Sequence, residues 1–475
     1  MTNPCNNGVK VTNSQVVVVM VPLPAQGHLN QLLQLSLLIA SHNIPVHYVG
    51  TATHNRQAQL RAHRNENYPD SSIANIHFHE FPMPSFATPP PNPNSSSKFP
   101  SQLIPSFIAS LNLREPVLEM LKQLSRDSKR VIVIFDSLMA WVVQDIPSIP
   151  NAEPYCFQSV SAFCVLSFHY QVTGGNFPNG AGIILKDLPS REECYTPEFL
   201  EFSKIQFQAR KFNYGNLYNT CKVIEGPFLD ILAKENVSET NKQWSIGPFN
   251  RVAISTSKKR HECLEWLDKK APNSVIFVSF GTTTSLPDEQ IQEIAIGLQQ
   301  SEQNFILVIR EADKGDVFVG DDRKVQLPEG YKERIKGKGF IIRDWAPQLD
   351  ILGHPSTGGF MSHCGWNSCM EGISMGVPIA AWPMHSDQPH NALLVAEVLN
   401  IGVIVNKYWT RNTDDHQEIV RSKIIENCVK RLLASPEGEE MRQKAVQLSK
   451  AVKESIMEGG TTQKEMDSFI SHITR

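Results

Sequence analysis

Apolar residues come in two similar waves along the chain. The first opens with Val16–Val21, an unbroken apolar run followed by the loop Pro22–Gly27. From His28 to Ser41 the spacing predicts a helix with a broad apolar face, carried by Leu32, Leu33, Leu35, Leu37, Leu38 and Ile39. Pro45–Val49 reads as the next strand. Strand, crossover helix and strand make a parallel unit, and near-continuous apolar strands fit a sheet covered on both faces. Ile76–Phe81 and Val131–Phe135 extend the same pattern. Between these two, Pro82 to Pro105 is so dense in Pro, Ser and Asn that it predicts a long loop. From Ser159 to Glu239 the pattern is mixed, with aromatic-rich loops around Gly174–Gly182.

The second wave starts near residue 260. Ser274–Phe280, Asn304–Arg310, Gly339–Arg343 and Gly359–Ser362 predict strands, and Pro287–Ser301 has helical period. Ile246–Lys259 predicts a linker between two α/β halves. Glu437 to Arg475 reads as helical, broken at Gly459-Gly460.

Composition narrows the function classes. The 475 residues are 41% hydrophobic and 20% charged, with a formal net charge of −3, which favours neither a nucleic-acid partner nor an anionic membrane surface. Lys258-Lys259-Arg260 reads as a solvated linker. Nine cysteines lie scattered without paired spacing, as expected in a reducing compartment. Cys364 and Cys369 flank Gly-Trp-Asn-Ser beside His363, but their neighbourhood supplies no four-ligand zinc set, so no metal is expected. Met1 to Gln15 carries no apolar signal core, and Val16 to Leu23 is too short to span a bilayer; a cytoplasmic location is the expectation. Asn94-Ser-Ser and Asn236-Val-Ser match the glycosylation pattern by chance, and a cytosolic chain would not use them.

Two constellations carry chemistry. Ligands of open α/β sheets bind outside the carboxyl ends of the strands. His28, after Gly27 and at a helix start, lies at such an end. The helix dipole there disfavours protonation, and a neutral imidazole can serve as a general base near pH 7. Asp136, after Val131–Phe135, lies at another carboxyl edge, within reach of the far ring nitrogen. On these residues alone, His28 reads more readily as a polar residue near a helix start than as a catalytic group. Ser362, in Gly-Phe-Met-Ser-His-Cys-Gly, does not form the Gly-x-Ser-x-Gly elbow of hydrolases.

The second constellation begins at His363-Cys-Gly-Trp-Asn367-Ser368, where a strand gives way to a helix running to Met375. Asn367, Ser368 and the helix N-terminus together make an anion site, with Gly281-Thr282 as a second donor turn. A capped glycine-rich turn is the bland alternative. Trp345, opening Trp-Ala-Pro-Gln, could present its indole to a base. Glu371 shares a helix face with Asn367 and suits a ribose diol. Asp387 and Gln388 suit sugar hydroxyls.

Taken together, the 44-residue run WAPQLDILGHPSTGGFMSHCGWNSCMEGISMGVPIAAWPMHSDQ, Trp345 to Gln388, strongly resembles the signature box of plant UDP-glycosyltransferases. Pro-Ala-Gln-Gly-His28, Asp136 and Ser279-Phe-Gly-Thr282 extend the resemblance over nearly the whole chain. The phrases VPLPAQGHLNQLLQLS, FDSLMAWVVQDI, FQSVSAF and HCGWNSCMEGISMGVPIAAWPMHSDQPHN are most similar to the zeatin O-glucosyltransferase group. The resemblance implies a GT-B fold, two Rossmann-like doubly wound parallel-sheet domains facing across a cleft. It divides the chain into 1–245 for the acceptor, a linker 246–260, 261–457 for the UDP-sugar, and a terminal helix 458–475 packing back on the first domain. It makes His28 the base and Asp136 its partner. Trp345 would stack on uracil, with Gln348 and Glu371 on the ribose side, Thr282, His363, Asn367 and Ser368 would hold the diphosphate, and Ala346 would also belong to the donor site. Trp366, Asp387 and Gln388 would contact the transferred sugar. Thr282 replaces the serine common at its turn and keeps the hydroxyl. The implied reaction inverts the anomeric centre of UDP-glucose, or of a UDP-xylose donor, without a metal or other cofactor. It acts on a hydroxyl of a small plant metabolite such as a cytokinin, flavonoid or lignan, or on a ring carbon of a phenol. Phe86, Phe99, Phe163 and Phe168 are candidates to stack on such an acceptor. A monomer is expected.

Overall fold

A computed structural model describes residues 16–62, 70–95, 97–174, 188–234, 242–250, 260–310, 312–313, 325–343, 345–407 and 419–475. The expectations for Met1 to Gln15, Asn236, Lys258 and Lys259, and most of the Gly174–Gly182 and 246–260 segments, lie outside these residues.

The first half is built on seven parallel strands: β1 (Val16–Val21), β2 (Val46–Gly50), β3 (Ile76–Glu80), β4 (Arg130–Asp136), β5 (Ala152–Gln158), β6 (Asn216–Tyr218) and β7 (Gln243–Ser245), in the order β3-β2-β1-β4-β5-β6-β7. The second half has β8 (Val275–Ser279), β9 (Asn304–Val308), β10 (Gly339–Ile342), β11 (Thr357–Ser362), β12 (Ile379–Ala381) and β13 (Gly402–Ile404), in the order β10-β9-β8-β11-β12-β13.

The apolar runs have the expected cause. Val17, Val19 and Val21 feed one buried cluster while Val16, Val18 and Met20 feed another on the opposite face. In β8, Ile276 and Val278 are likewise separated from Val275 and Phe277. Each sheet reverses its winding at one point, between β1 and β4 and between β8 and β11. The two chemical constellations leave the carboxyl ends of those strands.

The observed ends differ from the sequence reading in places. The first helix runs Gln26–Ala40, so His28 sits inside its first turn rather than opening it. The proline-rich loop stops short of Pro105. A 3-10 turn takes Ser101–Leu103, and the helix Ile104–Ser110 places Pro105 in its first turn, where the missing N–H costs no hydrogen bond. The break near Gly459 separates helices Pro436–Ile456 and Thr461–Thr474.

The helix Thr461–Thr474 packs on the first sheet. Met466, Phe469 and Ile473 join the cluster of Val16, Tyr155 and Trp244, and fully burying a ring such as Phe469 contributes about 1.5–3 kcal/mol. Arg130 pairs with Glu153 at 2.6 Å and donates to the Ile473 carbonyl at 2.6 Å, fastening the helix to β4 and β5. All cysteines among the described residues are free and buried. Among the described residues no helix is long and apolar enough to cross a membrane, and no group of three or more His, Cys, Asp or Glu side chains is arranged to hold a metal.

Candidate active site

His28 and Asp136 meet at the β1–β4 reversal. His28 Nδ1 lies 2.6 Å from Asp136 Oδ2. Asp136 is fully buried, and its other oxygen accepts the Leu138 N–H at 2.9 Å. Ser159, just beyond β5, completes a triangle: its Oγ is 2.8 Å from His28 Nδ1 and donates to Asp136 Oδ2 at 3.0 Å. With Nδ1 as the protonated nitrogen, both neighbours are satisfied acceptors and Nε2 is left with a lone pair. The His28 side chain is 22% exposed and Nε2 makes no hydrogen bond among the described residues.

The expectation that the helix start keeps His28 easily deprotonated needs correction. Burial does push its pKa down, but the Asp136 charge and hydrogen bond, with Asp387 adding a smaller pull, raise it above the ordinary value of 6.5. A full charge at hydrogen-bond distance outweighs the partial charge of a helix end.

The donor-box residues gather around the helix Trp366–Met375, which follows β11. Trp345 presents a ring that is 60% exposed, held by the turn in which the Ala346 carbonyl accepts from Gln348 N–H at 2.8 Å. Gln348 Nε2 donates to Ser368 Oγ at 3.0 Å and to Glu371 Oε2 at 2.6 Å, so three expected site residues form one polar cluster. Burial pushes the Glu371 carboxyl up to about 7, against the pull of Gln348. Thr282 is half-buried at the turn after β8, its carbonyl accepting from Asp313 N–H at 2.6 Å.

His363 is wedged between two glycines. A Cβ on Gly281 or on Gly365 would fall 2.5 Å or 2.6 Å from its Nε2, and Gly281 also has φ +75°, so both positions need glycine. Burial lowers the His363 pKa to about 4, so at neutral pH it acts as a dipole, not a cation.

Four expected contacts are differently engaged. Asn367 Nδ2 donates to the Gly27 carbonyl at 2.9 Å, next to His28. The Trp366 ring is buried, its N–H donating to the Asn219 carbonyl at 2.9 Å. Gln388 turns its Oε1 onto the backbone N–H groups of Met384 and His385, at 2.9 and 3.2 Å. Asp387 accepts from Asn391 at 2.6 Å, and burial raises its carboxyl to about 6 although Asn391 and Trp366 hydrogen bonds oppose this. Trp366 and Asn367 thus tie the helix Trp366–Met375 to the first half.

Of the acceptor-side aromatics, Phe163 is fully buried core and Phe99 packs on Phe199 and edge-on to His385 at 5.8 Å. Phe86 and Phe168 are half-buried, with Phe168 edge-on to His390 at 4.8 Å. Sequence reasoning missed Ser159 and Asn391. Asn391 binds Asp387, the Cys364 carbonyl and Ser161 Oγ, joining the halves, and a lone Ser or Asn offers no pattern that would expose such a role.

Two reversals of parallel sheets, an imidazole–carboxylate pair on one and an anion-type helix start with an exposed indole on the other, define a nucleotide-sugar transferase. The chain belongs to the UDP-glycosyltransferase family: residues 14–251 match the family model "Glycosyltransferase, N-terminal domain" and 250–435 match "UDP-glucoronosyl and UDP-glucosyl transferase". It is 53% identical to zeatin O-glucosyltransferase of Phaseolus lunatus, covering 97% of this chain and 98% of the relative. It is 51% identical to zeatin O-xylosyltransferase of Phaseolus vulgaris, covering 97% and 99%. The fold matches a crystal structure of a ugt transferase from Siraitia grosvenorii in complex with UDP, with TM-score 0.77, 25% identity, and 97% and 100% coverage. The GT-B expectation is therefore met.

Proposed function

We propose that this enzyme transfers glucose from UDP-glucose to a hydroxyl of a zeatin-type cytokinin or a similar small acceptor, with His28 as general base. The observation that carries the reading is the 2.6 Å Nδ1–Asp136 bond, which leaves Nε2 without a hydrogen bond among the described residues, on the residue after the Gly27 carbonyl that Asn367 holds. In the reaction Nε2 takes the acceptor hydroxyl proton. The oxygen forms a bond to the anomeric carbon as the carbon–oxygen bond to UDP breaks on the opposite face, the electron pair leaving with UDP. Configuration inverts, and Asp136 stabilises the imidazolium. The helix Trp366–Met375 and its Asn367 and Ser368 side chains meet charge developing on the diphosphate. The chemistry assigned to these groups needs no metal. The two bean relatives, one named for glucose and one for xylose, support the cytokinin acceptor. The final Gln388 of the box favours glucose by the family resemblance.

The test is a panel of zeatins, flavonoids and lignans with UDP-glucose and UDP-xylose, products read by mass spectrometry and proton NMR. An acid-labile β-linked glucoside of a zeatin is expected. An acid-stable product would mark carbon glycosylation instead, and no sugar transfer to any hydroxyl would overturn the reading.

Two donor-side predictions follow from exposure and burial. Trp345→Ala should raise the Kd for UDP by the equivalent of about 1–3 kcal/mol of lost base stacking, with little change in thermal stability because the ring is mostly exposed. Isothermal titration measures the affinity, and a thermal unfolding scan supplies the intactness control. Glu371, raised to about 7, must be ionised to accept two ribose hydroxyls. UDP affinity should therefore weaken as pH falls through about 7 and recover above it. Glu371→Gln should bind more weakly and show no such dependence; a variant that keeps the wild-type pH curve would remove Glu371 from the ribose.

A further inference from the structure

One continuous line of hydrogen bonds joins the donor helix to the base. Trp366 Nε1 donates to the Asn219 carbonyl at 2.9 Å. Asn219 Nδ2 donates to Gln31 Oε1 at 3.0 Å. Gln31 Nε2 donates to the Ser159 carbonyl at 2.8 Å, and Ser159 Oγ bridges His28 and Asp136. The line crosses from the second half to the first at Trp366. Trp366, Asn219, Gln31 and Ser159 are all at most 5% exposed, so water does not compete for these bonds.

The orientation of each link is fixed by its neighbour. Gln31 has one carboxamide oxygen and one NH2, and the line uses both. Flipping it would set its NH2 against the Asn219 NH2 and its oxygen against the Ser159 carbonyl, leaving four buried polar groups unpaired. Asn219 is held in turn by its Oδ1, which accepts from Phe249 N–H at 3.2 Å. Moving Trp366 therefore moves the Asn219 carbonyl at the end of β6, and with it the Ser159 backbone whose hydroxyl sets the acceptors around His28 Nδ1. Among the described residues no hydrogen bond joins residues 31, 159 and 219 to the Gln348–Glu371 cluster.

We propose that Ser159, Gln31 and Asn219 are positioning residues that couple the seat of Trp366 to the tautomer and aim of His28, so that the base is set only when the donor half is docked. The inference rests on His28 being the base. Its primary readout is nevertheless spectroscopic and independent of turnover.

The experiment uses full-length protein labelled with 15N-histidine, with the His28 Nδ1–H signal assigned by its loss in His28→Ala. In the wild type a strongly downfield proton and an Nδ1-protonated ring are expected. Trp366→Phe removes the N–H that the Asn219 carbonyl accepts, together with the five-membered half of the indole. It should shift or broaden this signal, and so should Gln31→Met; Ser159→Ala should shift it most, with recovery in Ser159→Thr. In kinetics, Trp366→Phe and Ser159→Ala should each lower kcat by about tenfold, with the double variant little worse than the poorer single one, as expected for groups acting through one line. Should Gln31→Met fail to fold, Trp366→Phe and Ser159→Ala carry the test alone. An unchanged His28 signal in Trp366→Phe, or kcat effects that simply multiply, would overturn the relay. If His28→Ala keeps full turnover while the signal responds, the base assignment fails and the relay stands as a structural coupling.

Discussion

Replacing His28 by alanine is expected to lower kcat for glucosyl transfer by about 10²–10⁴-fold, the span typical of removing a positioned general base. KM for UDP-glucose should change little, because the contacts proposed for the diphosphate and the uracil sit on the second half. His28 is partly exposed, so circular dichroism should match the wild type, while thermal unfolding should come at a lower temperature because the buried Asp136 carboxylate loses its partner. Stopped assays with the preferred acceptor read the effect directly. Turnover equal to the wild type would remove His28 from the reaction.

Asp136→Asn should be severe but milder, about 10²-fold in kcat, and should move the pH profile. The reason lies in the acceptors of Nδ1–H. An asparagine offers either its oxygen, preserving the tautomer, or its NH2, forcing the proton to Nε2 and disabling the base. Ser159 Oγ, 2.8 Å from Nδ1, remains as an alternative acceptor and biases the ring toward the working tautomer. In the wild type the base must be neutral, so the acid limb of kcat/KM should lie above 6.5, where Asp136 has raised the His28 pKa. Without the Asp136 carboxylate burial is opposed only by the smaller pull of Asp387, the pKa drops, and the limb moves to lower pH. The stability sign is consistent with this. A raised histidine pKa contributes stability that is complete below 6.5 and lost as pH rises through the raised value. The variant should therefore lose stability mainly in acid. An acid limb that stays put would separate Asp136 from the titration of His28.

Much of this was legible because some signals are local. Val16–Val21 reads as a buried strand, and the box from Trp345 to Gln388 spans consecutive helix and strand segments from Gln348–Leu352 through β11 and Trp366–Met375 to β12. What the sequence concealed has physical reasons. Strand β5, Ala-Glu-Pro-Tyr-Cys-Phe-Gln, carries a proline and a glutamate; Pro154 is tolerated because β6 pairs only from Cys156 onward, and Glu153 is met by Arg130. Strands β6, β7 and β13 are three residues long, too short for any period to show. Phe163 and Phe86 are indistinguishable by spacing, although one is core and the other half-buried. Ser159 and Gln31 act through partners 128 residues apart, a relation that no local pattern encodes. The protonation of His28 was misjudged for the same reason: the helix end is visible in sequence, whereas the carboxylate at 2.6 Å is a tertiary fact.

The helix Thr461–Thr474 also bears on how the protein is made. Arg130 waits for carbonyls at positions 472 and 473, the first of them 342 residues downstream, and Tyr155 and Trp244 wait for Phe469. On the ribosome the first sheet must hold the part of one face that Met466, Phe469 and Ile473 cover exposed throughout synthesis of the entire second half. That makes the nascent first half a natural client for chaperones, and it places the last folding step after translation has passed the final helix.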